Sequence, residues 1–497
     1  VSDTNNETSI SPALLAVLRC PKTGVPLAID TDQKEQTAQS QSALENTQES
    51  NQESNQESDL KSTVLRTVNE TDTLPHDKGV TRYPVVGGVP WLLPNPQNSL
   101  LDWSGKLHHF AQVLAAEIKQ LEHELSRVEG LTHDRLSRVL QGKQHFIRRV
   151  GELMMPVIAT PQAPLRIYDA LRDRAPSAQN LLSYEANLYR DWVWGEEENQ
   201  ASLKILSDLC SEGQSRWRTL VLGAGAARLA VDLHEALNLP FTVATDINPL
   251  LMFAAKHILN GKDLDIYEFP LHPRTEQDVA VLHAIKGHKV DQNFHLLFAD
   301  ATKPALAAHA FDCVVTPWLV DIQPLEFSRF MRQLNHYVPI GASWVNFGSL
   351  VFNQQRDAFC YAIDEVKQIA AQQGFDILEI SQHQMPYLKS PHNAGYRMET
   401  VWAWRAVKTQ DVAAEASPQV LPGWLLDPQQ AIPKAPYLEQ FAFTYRIYAQ
   451  LAAEVDGRTS IEKIGKKLAK QNKMNPEEGI QMVTNFFIDL YTQNSMN

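Results

Sequence analysis

Cysteine is scarce in this chain. There are four in 497 residues, Cys20, Cys210, Cys313 and Cys360, and no Cys-x-x-Cys pair. That scatter excludes a thiolate zinc site and a disulfide framework. His108 and His109 are adjacent, so on a helix they point in different directions and are not expected to share a metal; no metal site is expected. A run of about eighteen apolar residues is missing, which argues against a membrane span. A basic excess is missing too: 45 Lys and Arg face 58 Asp and Glu, for a net charge of −13. Such a charge repels phosphate backbones and argues against a nucleic-acid binder. Val1 to Thr8 lacks the basic start and apolar stretch of a secretory signal, which, with the scattered cysteines, predicts a cytoplasmic address. The first residue is Val1 rather than Met, which points to processing or a trimmed start. What is present is an ordinary apolar content of 43% and a length that predicts roughly two to four units.

The units can be placed by composition. Residues 11–95 read as a small β module, with an apolar cluster at Leu14, Leu15, Val17 and Leu18 and a strand, a Gly87-Gly88 turn and an exit over Tyr83 to Leu93. Its insert, 33–75, carries the repeat NQES-NQES and is expected to be disordered, because it cannot bury enough area to offset chain entropy. Residues 98–166 read as helices, with Leu107, Phe110, Val113 and Leu114 falling on one face, as do Ile118, Leu121 and Leu125. Residues 167–408 read as a doubly wound α/β core, and 409–434 as a linker. Residues 436–495 read as a helical unit with a capping box at Thr459 and Glu462 and a second helix start at Asn475-Pro476.

The core carries the chemistry. Thr219 to Leu222 is an apolar strand running into Gly223-Ala224-Gly225 and a helix; glycines there allow a sharp turn and close approach of a ligand. Arg228 stands where a dinucleotide fingerprint would have its third glycine. A second strand, Phe241 to Asp246, ends in a carboxylate placed to accept hydrogen bonds from ribose hydroxyls; a helix-capping role is compatible with this. A third strand ends at Ala299-Asp300-Ala301. A fourth, Phe311 to Thr316, leads to Asp321, which as a carboxylate can hold an N–H or cap the next helix. Val338-Pro339-Ile340-Gly341 opens a fifth strand that contains Asn346.

In this order the segments resemble class I S-adenosylmethionine-dependent methyltransferases. The resemblance implies a Rossmann-like core, an adenine amine on Asp300 and an adenine ring against the Ala301 N–H. Tyr189-Arg190-Asp191-Trp192 and Trp344-Val345-Asn346-Phe347-Gly348-Ser349-Leu350 look more narrowly like the carnosine N-methyltransferase family. That likeness implies Arg190 and Trp192 bordering the cofactor together with Gly223, Gly225, Arg228, Asp246 and Asp300. It implies Asp321 on the imidazole, Tyr396 lining its face, and Asn346 and Asn353 on the substrate side. Ser349, Asn353 and the Tyr396-Arg397-Met398-Glu399 segment depart from the family pattern, so the acceptor is expected to be an imidazole-containing small molecule or peptide rather than carnosine itself. A peptide- or protein-histidine methyltransferase and a non-catalytic S-adenosylmethionine-binding regulator remain the alternatives. The flanks have resemblances of their own. LLAVLRCPKTGVPL with YPVVGGVPWLLP resembles a zinc-ribbon-like domain stripped to one cysteine, Cys20, and thus metal-free. The last sixty residues resemble PqqD-like winged-helix domains, implying a handle for a peptide or protein partner.

Overall fold

A computed structural model describes residues 10–30, 63–68, 81–160, 179–210, 214–352, 357–412, 422–434 and 453–494. The sheet is central. Five apolar segments, β5 (Arg218–Leu222), β6 (Phe241–Asp246), β9 (Phe294–Ala299), β10 (Cys313–Pro317) and β11 (Ser343–Gly348), pair in parallel in the order β9-β6-β5-β10-β11. Their near-continuous hydrophobic runs suit strands buried on both faces. The long hairpin of β12 (Phe375–Tyr387) and β13 (Arg397–Lys408) then adds β13 antiparallel to β11. The chain winds one way from β5 to β6 and β9, and the other way from β10 outward. The crevice at the carboxyl ends of β5 and β10 is therefore the place where such sheets bind ligands.

Two apolar layers cover the faces. One contains Leu206 of α5 (Glu196–Leu209), Val231 and Leu233 of α6 (Arg228–Ala236), and Met252, Phe253 and Ile258 of α7 (Pro249–Leu259). The other contains Phe330, Met331 and Leu334 of α8 (Phe327–Tyr337) with Val366 and Ala370 of α9 (Ile363–Gln372). A separate hairpin, β7 (Leu264–Glu268) with β8 (Val281–Ile285), follows α7.

The expected helices are one antiparallel pair, α2 (Pro96–Leu125) and α3 (Gly130–Ala159). Leu107 and Leu114 are buried as the periodicity predicts, whereas Val113 is exposed. Among the described residues no helix is long and apolar enough to cross a membrane.

The amino-terminal strands are not a module set apart from the core, as composition had suggested. After α1 (Pro12–Val17), β1 (Leu27–Ile29), β2 (Val64–Thr67), β3 (Arg82–Val86) and β4 (Val89–Leu92) run antiparallel in sequence, and β4 pairs in parallel with β9 through Trp91 and Leu92. They extend the core sheet to eleven strands. Gly87 makes the β3–β4 turn possible: its φ is +56°, and a Cβ there would lie 2.9 Å from the Phe253 ring. A second correction concerns the insert. Residues 64–67, expected to lack structure, form β2, because Leu65 pairs with Ile29 and Tyr83 and is fully buried. The remainder of the expected insert, 33–62 and 69–75, lies outside the described residues.

The carboxyl-terminal helices α11 (Ile461–Asn472) and α12 (Pro476–Asn494) close a small core of their own with Ile432 and with Leu425 of the short α10 (Gly423–Leu426). They touch backbone to backbone: a Cβ on Gly465 would fall 2.5 Å from Ile480 Cα. Ser460, not Thr459, caps α11, accepting the Lys463 amide at 3.2 Å. Residues 436–452 and 495 of the expected helical unit lie outside the described residues.

Candidate active site

A cavity of about 460 Å³ opens at the carboxyl ends of β5, β6, β9 and β10. One side is built by backbone. Gly223 and Gly225, at φ +70° and +56°, turn the chain from β5 into α6. A Cβ on Gly225 would meet nothing within 4 Å, so the residue faces open space. Asp246, at the tip of β6, locks this turn: its Oδ2 accepts the Gly225 amide at 2.8 Å and its Oδ1 the Asn248 amide at 2.8 Å. Burial pushes the Asp246 carboxyl up, and the Asn248, Gly225 and Ile247 amides pull against that. Asp300, at the tip of β9, accepts the Thr302 amide and hydroxyl at 2.9 and 2.6 Å, and Ala301 lines the cavity beside it.

Arg190 enters from a π-helical turn, Arg190–Trp194, that follows α4 (Glu185–Tyr189). Such turns insert one residue and often mark functional sites. Gly195 closes it, and a Cβ there would lie 2.3 Å from the Arg190 carbonyl oxygen. The guanidinium donates to Asp191 Oδ1 at 2.8 and 2.6 Å. Burial would lower its pKa, but the Asp191 charge more than compensates and keeps it cationic.

Asp321 lies on the opposite wall. Its Oδ2 accepts Ser349 Oγ at 2.7 Å and the Val351 amide at 2.9 Å. Its Oδ1 is buried and has no hydrogen-bond partner. Burial raises the carboxyl to about 6; the Ser349 and Val351 hydrogen bonds oppose the rise and the Glu399 charge adds to it. The capping alternative falls away, because Glu326 caps the next helix by accepting the Ser328 and Arg329 amides.

The structure thus brings Arg190, Gly223, Gly225, Asp246, Asp300, Ala301 and Asp321 to one cavity. It does not bring four other expected residues there. Trp192 Nε1 donates to the Ala226 carbonyl at 2.9 Å, beneath the glycine turn. Arg228 forks onto Asp232 and reaches the Asp191 carbonyl and Glu196, bracing the π-turn against α6. Asn346 is a clamp inside the sheet, accepting Thr316 Oγ1 at 2.9 Å and donating to the Trp402 carbonyl at 3.3 Å. Tyr396 is 52% exposed and outside the lining. Asn353 lies outside the described residues.

Residues not named among the expected site residues complete the wall, two of them, Arg397 and Glu399, in the 396–399 segment that departs from the family pattern. Trp318, held at φ +51° just beyond β10, places its ring centroid 4.9 Å from that of Tyr387. Arg397 and Glu399 line the cavity from β13, opposite Tyr387 and Met385 of β12. The signal for them was the strand period of two, which sends 397 and 399 to one face and 396 and 398 to the other.

Residues 174–409 match the model of the carnosine N-methyltransferase family. No curated protein matches the chain significantly. Solved structures that resemble it include the YcgJ protein of Bacillus subtilis, with 9% identity, 42% of this chain and 99% of that chain covered and a TM-score of 0.30. Another is phosphoethanolamine N-methyltransferase 2 of Haemonchus contortus with S-adenosylmethionine, with 12% identity, coverage of 50% and 62% and a TM-score of 0.31. The family match over 174–409, borne by a region with this glycine turn and these strand-end acids, makes the protein an S-adenosylmethionine-dependent methyltransferase.

Proposed function

We propose that the protein methylates an imidazole nitrogen of a histidine-containing small molecule or peptide. The unpartnered, buried Oδ1 of Asp321 carries this reading. A buried carboxylate oxygen without a donor is costly, and a ligand N–H at that point would satisfy it. The opposite wall fits the cofactor, with open space over Gly225 and two strand-end acids. Gly223 and Gly225 would let it approach, Asp246 would take the ribose hydroxyls, Asp300 and Ala301 the adenine, and Arg190 the methionine carboxylate. S-adenosylmethionine supplies a methyl group on a sulfonium, which an in-line nitrogen lone pair can take while the C–S electron pair stays on sulfur.

The protein's own part is alignment and proton handling. Asp321 accepts the N–H of one ring nitrogen, which fixes the tautomer and presents the lone pair of the other. It also steadies the cationic product until that proton leaves for water. The Trp318 and Tyr387 rings supply an apolar wall for a flat heterocycle. Asp321→Asn should bind S-adenosylmethionine normally by calorimetry yet lose about 10²-fold to 10⁴-fold in turnover. Undiminished turnover would remove Asp321 from the reaction.

The flanks support two lesser readings. The likeness of 11–95 to a zinc-ribbon-like domain without its metal is kept as a proposal, with Cys20 Sγ and Tyr83 Oη hydrogen-bonded at 3.1 Å. The separate core of the carboxyl-terminal helices supports a PqqD-like handle for peptides, acting outside the cavity.

A further inference from the structure

The acceptor side of the cavity carries a charge pattern that imidazole alone does not use. Arg397 and Glu399 share one face of β13, and their side chains pair, Nε to Oε1, at 3.2 Å. Glu399 is 17% exposed at its side chain and Arg397 69%. The Arg397 guanidinium lies 4.9 Å from the centroid of the Tyr387 ring, which anchors its stem while leaving its outer N–H groups to solvent. Glu399 stands near enough to Asp321 for its charge to act on that carboxyl.

This end of the cavity therefore holds the Asp321 and Glu399 carboxylates and the Arg397 guanidinium, while the Arg190 guanidinium, 5.9 Å from the centroid of the Tyr387 ring, is held by Asp191. If a ligand carboxylate draws Arg397 away, Glu399 is left as a mostly buried anion beside a second anion. That arrangement is unfavourable unless the same ligand brings a cation. A free α-amino acid does so: its carboxylate suits the guanidinium fork, and its ammonium, one carbon away, suits Glu399. A peptide-bonded histidine offers a neutral amide nitrogen at that point.

We propose that Arg397 and Glu399 bind the zwitterionic head of a free α-amino acid whose imidazole side chain reaches Asp321. The proposal rests on the imidazole reading and narrows it from small molecules and peptides to one substrate class. Arg397 and Glu399 act as specificity-determining residues.

The test is calorimetry on the full chain saturated with S-adenosylhomocysteine, with L-histidine, N-acetyl-L-histidine, L-histidine methyl ester and carnosine as ligands. Methyl transfer to each is followed in parallel with isotope-labelled cofactor. L-histidine should bind about tenfold to a hundredfold more tightly than each of the other three. Glu399→Gln should erase the preference over the N-acetyl compound, and Arg397→Gln the preference over the ester. Equal affinity for L-histidine and N-acetyl-L-histidine would overturn the proposal while the imidazole reading stands. Label on none of the four would overturn the imidazole reading, and this proposal with it. The ligand series needs only the unaltered protein, so it decides the matter even where a variant fails to fold.

Discussion

The two walls of the cavity are built by different means. The wall proposed for the cofactor is a property of the backbone: two glycines at positive φ, strand tips that end in Asp246 and Asp300, and a π-turn that aims Arg190. The acceptor wall is a property of side chains, presented by the end of a β-hairpin and by the loop after β10. Backbone geometry tolerates little change, because a turn either closes or does not. Side chains on a strand end can be exchanged without disturbing the ladder. A methyltransferase can therefore keep the first wall and rewrite the second, and Arg397 with Glu399 lies in the segment that departs from the pattern of the carnosine N-methyltransferase family, whose model matches residues 174–409.

The sharpest way to break the contrast is at Asp246. Both of its oxygens hold backbone amides, of Gly225 and Asn248. Asp246→Ala should release the glycine turn as well as remove the proposed ribose acceptor. S-adenosylhomocysteine affinity should fall about a hundredfold by calorimetry. If affinity held while acceptor binding collapsed, the assignment of the two walls would be reversed.

The next effect is one of stability and pH, and belongs to the acceptor wall. The Asp321 carboxyl is raised from an ordinary 3.8 to about 6, first by burial. A raised carboxyl is held best when protonated. Its contribution to stability is complete below about pH 4 and is lost as pH rises through about 6. Above pH 6 the ionised, half-satisfied carboxylate costs up to about 3 kcal/mol. Asp321→Asn should therefore be more stable than the unaltered protein at pH 8, with the gap closing toward pH 4, in thermal unfolding series across pH. A variant that loses most stability at pH 8 would mean that the Asp321 charge is compensated in the folded protein.

The same division explains what could be read in the sequence. The glycine turn and the strand-end acids were legible because each is fixed by local rules of strand and turn, whereas Asp321 was placed at the site by resemblance. Their convergence follows from the parallel order alone. Trp192, Arg228 and Asn346 were placed at the cofactor or substrate by resemblance, yet each is consumed in bracing: Trp192 under the turn, Arg228 on Asp232, Asn346 between β10 and β13. Local sequence says nothing of such partners, which arrive from distant elements. The strand β2 was missed for a related reason. Four residues beside a polar repeat carry little hydrophobic pattern, and only their pairing with β1 and β3 reveals them.

The smallest expected effect is the one that tests which face of β13 meets the acceptor. Tyr396 precedes the strand on the face opposite Arg397 and Glu399, is half exposed and has the Lys389 ammonium 5.5 Å from its ring centroid. Tyr387, across the ladder from Arg397, packs against Trp318 in the cavity wall, with the two rings tilted at 55°. Tyr396→Ala should change acceptor KM by less than about twofold, since an exposed cation–π contact is worth about 0.5–1 kcal/mol and touches no ligand. Tyr387→Ala removes the ring under the Arg397 guanidinium and should raise KM well beyond that, with turnover at saturation affected less. The two substitutions delete the same chemistry nine positions apart, so the ratio of their effects isolates orientation. A larger loss from Tyr396→Ala than from Tyr387→Ala would mean that the strand presents its other face, and that Arg397 and Glu399 point away from the acceptor.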